Sequence, residues 1–280
     1  MVYRQRGERV LLDRFDNLAF PLHVIKDILV KAAALPVNYQ PSDITDTSEY
    51  IESRMPAIRS QLGDPGSALP SIESSKRRLE SLLGTINRYA VAIGEIINSI
   101  ELSELEPTML RAIMSTVAYE LTQLAHRFQG APLSLDGDRL EFFFAAPSFI
   151  TKVDLALDFA AAARAMLRAI SRELTARGEI SLKWRIALEG GDATADRRGH
   201  VDIGTSVSLS GQPMLAARVF IRLGGERKIL VGPRLQRSAH TYWRNLLEDA
   251  GIDLPPELRP LYEHQDRIMA LTNVPAKVPT

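Results

Sequence analysis

Apolar residues recur at helical spacing over residues 17 to 35, where Leu18, Leu22, Val24, Ile25, Ile28, Leu29 and Ala32 share a face and Pro36 stops the run. The pattern predicts a helix there, followed by a polar loop from Asn38 to Ser48. A second short helix is expected from Glu49 to Leu62. After a loop holding Gly63, Pro65, Gly66 and Pro70, a third is expected from Ser71 to Ile86, with Leu79, Leu82, Leu83 and Ile86 on one side. Residues 1–86 are therefore expected to form a helical N-terminal region.

From Arg88 the pattern changes. Residues 89–97 are nearly all apolar and rich in β-formers, as in a strand buried on both faces, which makes their one carboxylate, Glu95, conspicuous. Pro107 opens a long helix whose stripe runs Leu110, Ile113, Met114, Val117, Leu121, Leu124 and Phe128, and Gly130 closes it. Two short runs, Leu133–Leu135 and Leu140–Ala146, flank Asp136-Gly137-Asp138-Arg139 and read as a β-hairpin. A helix from Val153 to Ala176 follows, then an alternating strand from Ile180 to Leu188, a polar hairpin tip from Asp192 to His200 and another strand from Val201 to Leu209. A helix over Pro213–Leu223, a strand over Lys228–Val231, a helix over Pro233–Ala250 and a strand over Arg267–Val274 complete the reading. The order β-α-β-β-α-β is the ferredoxin-like unit of an α/β (α+β) domain, extended here by further elements over residues 87–280.

Composition narrows the function classes. Thirty-four Lys and Arg balance thirty-four Asp and Glu, so no net charge draws the chain to a polyanion, which speaks against nucleic-acid coating. The absence of cysteine excludes disulfides, thiolate metal sites and thiol catalysis. The five histidines show no HExxH spacing, against a histidine-built zinc site. No apolar run reaches the ~18 residues of a membrane span and no secretory signal opens the chain, so a cytoplasmic protein without membrane partners is expected.

The candidate chemistry lies in the carboxylates. Ala92-Ile-Gly-Glu-Ile-Ile-Asn-Ser99, a helix, then Leu135-Asp-Gly-Asp-Arg-Leu-Glu-Phe-Phe-Phe144 resembles the class III nucleotidyl cyclases, in which a strand-end Asp and a hairpin Gly-Asp hold two metal ions. The resemblance puts Glu95 and Asp138 at the metal positions and implies two Mg²⁺ or Mn²⁺ ions that would activate a 3′-hydroxyl and neutralise a leaving pyrophosphate. Ser210-Gly-Gln-Pro-Met-Leu-Ala-Ala-Arg-Val219 is similar to the family's Asn/Arg helix, with Arg218 at the position that stabilises phosphate charge and Met214 at that of the ribose-orienting Asn. The base-reading positions fall on Ser134 and Val207, or on Ser206 or Ser208 if the alignment shifts by one. Gly190-Gly191-Asp192 begins a diguanylate-cyclase-like signature without its Glu-Phe and reads as a hairpin tip.

Departures from the family pattern matter. Glu95 is one methylene longer than Asp, Met214 cannot donate a hydrogen bond, and the base-reading positions lack polar reach. The resemblance implies a head-to-tail homodimer with composite sites. It leaves two expectations. One is a divergent cyclase turning a nucleoside triphosphate into a 3′,5′-cyclic nucleotide second messenger and pyrophosphate, a pyrimidine being possible as in the antiviral pyrimidine cyclases. The other is a catalytically inactive cyclase-homology module that binds a nucleotide or dimerises as a signalling regulator.

Overall fold

A computed structural model describes residues 2–5, 8–13, 18–21, 46–63, 80, 82–144, 149–200, 204–263 and 266–272. Its contacts divide the chain into two units, Met1–Pro41 and Ser42–Thr280.

The first unit contains an antiparallel sheet of β1 (Val2–Gln5), β2 (Glu8–Asp13) and β3 (Leu18–Pro21), with Val2 opposite Leu11 and Val10 opposite Pro21. This corrects the helix expected from residue 17. A short apolar run does not distinguish strand from helix by its period, and here residues 18–21 pair with β2. Pro21, which has no N–H to donate, sits on an edge strand, where it is tolerated. The remainder of that expected helix, residues 22–35, lies outside the described residues, as does most of the one expected over 71–86. Of the latter, Glu80 is helical, whereas Ile86 already belongs to a strand.

The second unit begins with α1 (Thr47–Gly63) and runs through β4 (Ile86–Ile96), α2 (Ser99–Leu102), α3 (Pro107–Arg127), β5 (Gly130–Asp136), β6 (Arg139–Phe144) and α4 (Phe149–Ala176). It continues with β7 (Trp184–His200), β8 (Gly204–Gly211), α5 (Gln212–Leu223), β9 (Ile229–Val231), α6 (Pro233–Ser238), α7 (Thr241–Leu246), β10 (Leu247–Asp249) and β11 (Met269–Leu271). One sheet collects eight of these strands in the order β10-β11-β9-β7-β4-β6-β5, with β8 paired to β7, and every pairing but β7–β9 is antiparallel. Its centre, β7-β4-β6-β5, has the strand order of the ferredoxin-like unit.

The period-2 alternation of β4 divides the core. Ala90, Ala92 and Ile96 face the helical layer of α1, α3 and α4, where Phe142 and Phe144 stack on Phe159 with ring centroids 4.9 and 5.4 Å apart. Tyr89, Val91 and Ile93 face the other way, toward Met214, Ala217, Phe220 and Ile221 of α5. Ile51, Ile58 and Leu62 bury α1 in the helical layer, and Arg54 donates to Glu120 of α3 through two bonds of 3.0 and 2.7 Å. By contacts, therefore, α1 goes with the sheet that follows it.

Two further expectations are corrected. The segment Asp192–His200 is strand throughout, because Asp192 pairs with Arg88 of β4 and residues 193–200 pair with β8, so Gly190 and Gly191 lie inside β7 rather than at a hairpin tip. The single helix expected from Pro233 to Ala250 is divided. Ala239 is extended, His240 caps α7 by accepting from the Tyr242 amide, and Leu247–Asp249 leaves the helical path to pair with β11. Among the described residues no helix is long and apolar enough to cross a membrane.

Candidate functional site

Register builds the site. On β4, Glu95 is the direct cross-strand partner of Arg139 on β6 and of Arg185 on β7, and Arg139 is opposite Asp136 on β5. Four strands thus bring Arg185, Glu95, Arg139 and Asp136 into one row of alternating charge on the α5 face. Both oxygens of Glu95 are engaged: Oε1 accepts from Arg139 Nη2 at 2.8 Å and Oε2 from Arg185 Nε at 2.6 Å. Burial works against its ionisation, but the two guanidiniums outweigh it and hold the carboxyl below the usual glutamate range.

Asp138 occupies the turn between β5 and β6, where Gly137 takes the left-handed φ of 59° that the turn requires. Its backbone carbonyl accepts from the Ile96 amide at 2.9 Å, which pins the hairpin to the end of β4, and its Oδ2 accepts from Ser99 Oγ at 2.9 Å. The two acidic positions therefore fall at the same end of the sheet, as the sequence implies.

A cavity of about 410 Å³ opens beside this row on the α5 face, lined by Ser134, Asp136, Arg139, Glu141, Val207, Ser208 and Arg218 together with Leu133. It gathers four of the positions singled out in the sequence, Ser134, Val207, Ser208 and Arg218. Arg218 forms a bidentate pair with Glu141, its Nε donating to Oε1 and its Nη2 to Oε2. Arg139 Nε and Ser208 Oγ are buried there without a hydrogen-bond partner among the described residues. Ser208 is one of the two polar residues, with Ser206, that the shifted alignment offers. The Ser206 side chain lies outside the described residues. Met214 is not brought to the cavity: it is 2% exposed and belongs to the core beneath α5.

The pair of divalent ions that the sequence resemblance implies does not fit the residues as they are paired here. Glu95 has both oxygens committed to arginines, which leaves Asp138 as the remaining acid of the two expected ligands, and the described residues contain no group of three or more Asp, Glu or His able to hold a metal. Glu141, Arg139 and Arg185 escape the sequence reading. The signal that marks Glu95, one carboxylate in an apolar strand, also marks Glu141 in Leu140-Glu-Phe-Phe-Phe144. The arginines carry no such mark, because only the register shows what they oppose. Neither Arg234 nor Arg227 is among the residues that line this cavity: Arg234 is bonded to Gln212 and the Leu261 carbonyl, while Arg227 lies on the helical side.

This topology is that of the class III nucleotidyl cyclase catalytic domains. The adenylyl cyclase CyaB from P. aeruginosa superposes with a TM-score of 0.60 at 18% identity, over 69% of this chain and 98% of that one. The guanylyl cyclase Cya2 does so with a TM-score of 0.56 at 14% identity, over 67% and 91%. A class III adenylyl cyclase-like ATP-binding protein from Pseudomonas aeruginosa matches with a TM-score of 0.52 at 16% identity, over 58% of this chain and 37% of that one. No protein-family model matches the sequence, and no curated protein does.

Proposed function

We propose that this chain is a cyclase-homology module that binds a nucleotide in the α5-face cavity, without cyclising it, and regulates through dimerisation. The observation that carries this reading is the double pairing of Glu95 with Arg139 and Arg185, which occupies the position of the first metal-binding carboxylate. Binding is supported by the unpartnered Arg139 Nε and Ser208 Oγ, two donors suited to phosphate or base oxygens, beside the Arg218 guanidinium. A head-to-tail homodimer is part of this reading, with Asp138 at the hairpin turn completing the cavity of a second copy.

A second reading, a divergent cyclase converting a nucleoside triphosphate to a 3′,5′-cyclic nucleotide and pyrophosphate, is favoured by Asp138 and Arg218 standing at the family's positions. In that case Ser134 and Val207 offer too little polar reach for a purine edge, so a pyrimidine triphosphate or loose selectivity is expected.

One experiment separates the two. The full chain is incubated with ATP, GTP, CTP and UTP separately, with Mg²⁺ or Mn²⁺. Products are read by mass spectrometry, binding by calorimetry and mass by light scattering. Binding that is weakened by Arg218→Ala, with a dimer and no cyclic product, is the expected result. A cyclic product that disappears in Asp138→Ala overturns the proposal in favour of the cyclase.

A further inference from the structure

Arg164, Arg168 and Arg172 follow one another at four-residue intervals on α4, so their guanidiniums lie along one side of the helix. Like charges at this spacing destabilise a helix. The fold employs one of them: Arg164 Nη1 donates to the carbonyls of Leu271 at 3.3 Å and Thr272 at 2.8 Å. Arg168 and Arg172 are exposed and have no ion-pair or hydrogen-bond partner among the described residues. A fourth arginine, Arg227, joins them from the turn before β9, held at a left-handed φ of 57° that is uncommon for a residue with a Cβ.

These four arginines line a cleft of about 1030 Å³ between α1, α4 and the start of β7, on the helical side of the sheet. Glu52 is the one acid among its described lining residues. Two residues that line the same cleft carry buried donors with no hydrogen-bond partner among the described residues: Trp184, 1% exposed, through its indole Nε1, and Thr47, 4% exposed, through its Oγ1. A buried donor without an acceptor costs free energy that a bound acceptor would recover. Excess positive charge at the mouth and unpartnered donors in the wall are complementary to an oxyanion carrying several negative charges.

We propose that this cleft binds a phosphate-bearing small molecule, its phosphate oxygens accepting from Trp184 and Thr47 and its charge neutralised by Arg168 and Arg172, whereas Arg227 is already paired with Glu226 at 3.4 Å and donates to Ser181 Oγ at 3.2 Å. The site lies on the opposite face of the sheet from the Arg218 cavity and stands independently of how that cavity is read. A ligand there would join α1 to α4 and β7, so its occupancy would be felt as a stiffening of α1 on the sheet.

The test uses the full chain with inorganic tripolyphosphate and, as a second arm, ATP without added metal. Binding is followed by calorimetry and by the two indole ¹⁵N–H resonances, assigned with Trp243→Phe. The Trp184 resonance is expected to move on titration. The Arg168→Glu/Arg172→Glu variant is expected to weaken binding by about tenfold or more, and Arg218→Ala to leave binding in this cleft intact. Because both substituted arginines are exposed, the double variant is expected to fold with a melting temperature no lower than the parent, which its unliganded melt verifies. Equal affinity in the two arms, read from the Trp184 resonance, supports a site that reads the phosphate chain alone, and tighter ATP by the same resonance supports one that also seats the nucleoside on Ile51, Ala161 and Ala165. The proposal is overturned if neither probe moves the Trp184 resonance, or if that shift survives Arg168→Glu/Arg172→Glu with unchanged affinity.

Discussion

Arg218 on α5 grips Glu141 on β6 through two parallel bonds, Nε to Oε1 at 2.8 Å and Nη2 to Oε2 at 2.9 Å. The Glu141 side chain is 6% exposed whereas that of Arg218 is 44% exposed, so the two ends of the pair stand in different environments. The guanidinium remains reachable from the cavity while its partner carboxylate lies in the sheet. A nucleotide phosphate would therefore compete with Glu141 for Arg218.

Removing one partner should consequently do more harm than removing both. Arg218→Ala strands a buried carboxylate and is expected to cost about 1–2 kcal/mol, reduced from the cost of breaking a fully buried pair because the arginine is partly in water. A double-mutant cycle with Glu141→Ala, read by urea denaturation, should return a coupling of about 1 kcal/mol. Strictly additive losses would show that the pair contributes nothing to stability.

The Glu95 row makes a prediction about metals and acid. Millimolar Mg²⁺ or Mn²⁺ should leave the melting temperature of the parent protein unchanged, since the Glu95 oxygens already accept from Arg139 and Arg185. A metal-dependent rise that Glu95→Gln abolishes would refute this. Because folding lowers the Glu95 pKa, the stability it lends is complete above the unfolded value of about 4.3 and declines as the pH falls below it. Melting curves of the parent and Glu95→Gln should therefore converge on acidification.

Asp158 on α4 acts in the opposite sense. Burial and the charge of Asp154 one turn earlier push its carboxyl up to about 8, against a hydrogen bond from Trp243. A raised carboxyl favours the folded state in its neutral form, so that contribution is complete below the unfolded value of about 3.9 and is lost as the pH rises through 8. Asp158→Asn, which keeps the shape and removes the charge, is expected to melt higher than the parent at pH 9 and to show a flatter pH dependence between 5 and 9, by differential scanning calorimetry at about five pH values. A variant that loses stability equally at every pH would contradict the assignment.

Glu189 is fully buried inside β7 and keeps company with three donors: the Gly190 amide, the Leu235 amide in the first turn of α6, and the Tyr262 hydroxyl at 2.5 Å. Burial raises its pKa, and the three bonds oppose that rise. Tyr262→Phe takes away one donor without changing the ring and should cost about 1–3 kcal/mol in urea melts. At Gly232 an added Cβ would collide with Glu189 Oε2 and come within 2.6 Å of Phe220 Cε2, so Gly232→Ala is expected to be at least as damaging. A neutral outcome for both would mean that this carboxyl does not organise the junction of β7 and α6.

The long periodic segments were legible in the sequence because burial was encoded in their own residues. The stripe from Leu110 to Phe128 became α3, the Asp-Gly turn became the β5–β6 hairpin, and the apolar run around Val91 became the central strand. Short segments were not, since Leu18–Pro21 and Leu247–Asp249 owe their extended form to partner strands that periodicity does not reveal.

For the site, the sequence by itself determined which residue types stand at the cyclase-like positions: a carboxylate at 95, another at 138, an arginine at 218, and no purine-reading pair. What those groups do was decided by the tertiary structure. Register set Arg139 and Arg185 on either side of Glu95, and the packing of α5 on the sheet brought Arg218 to Glu141. The docking of α1 on α4 set four arginines along one cleft, beside two donors that have no partner among the described residues. A side chain's charge is written in the chain, but its electrostatic role depends on neighbours within a few ångströms, and those come from residues 44 to 90 positions away for Glu95.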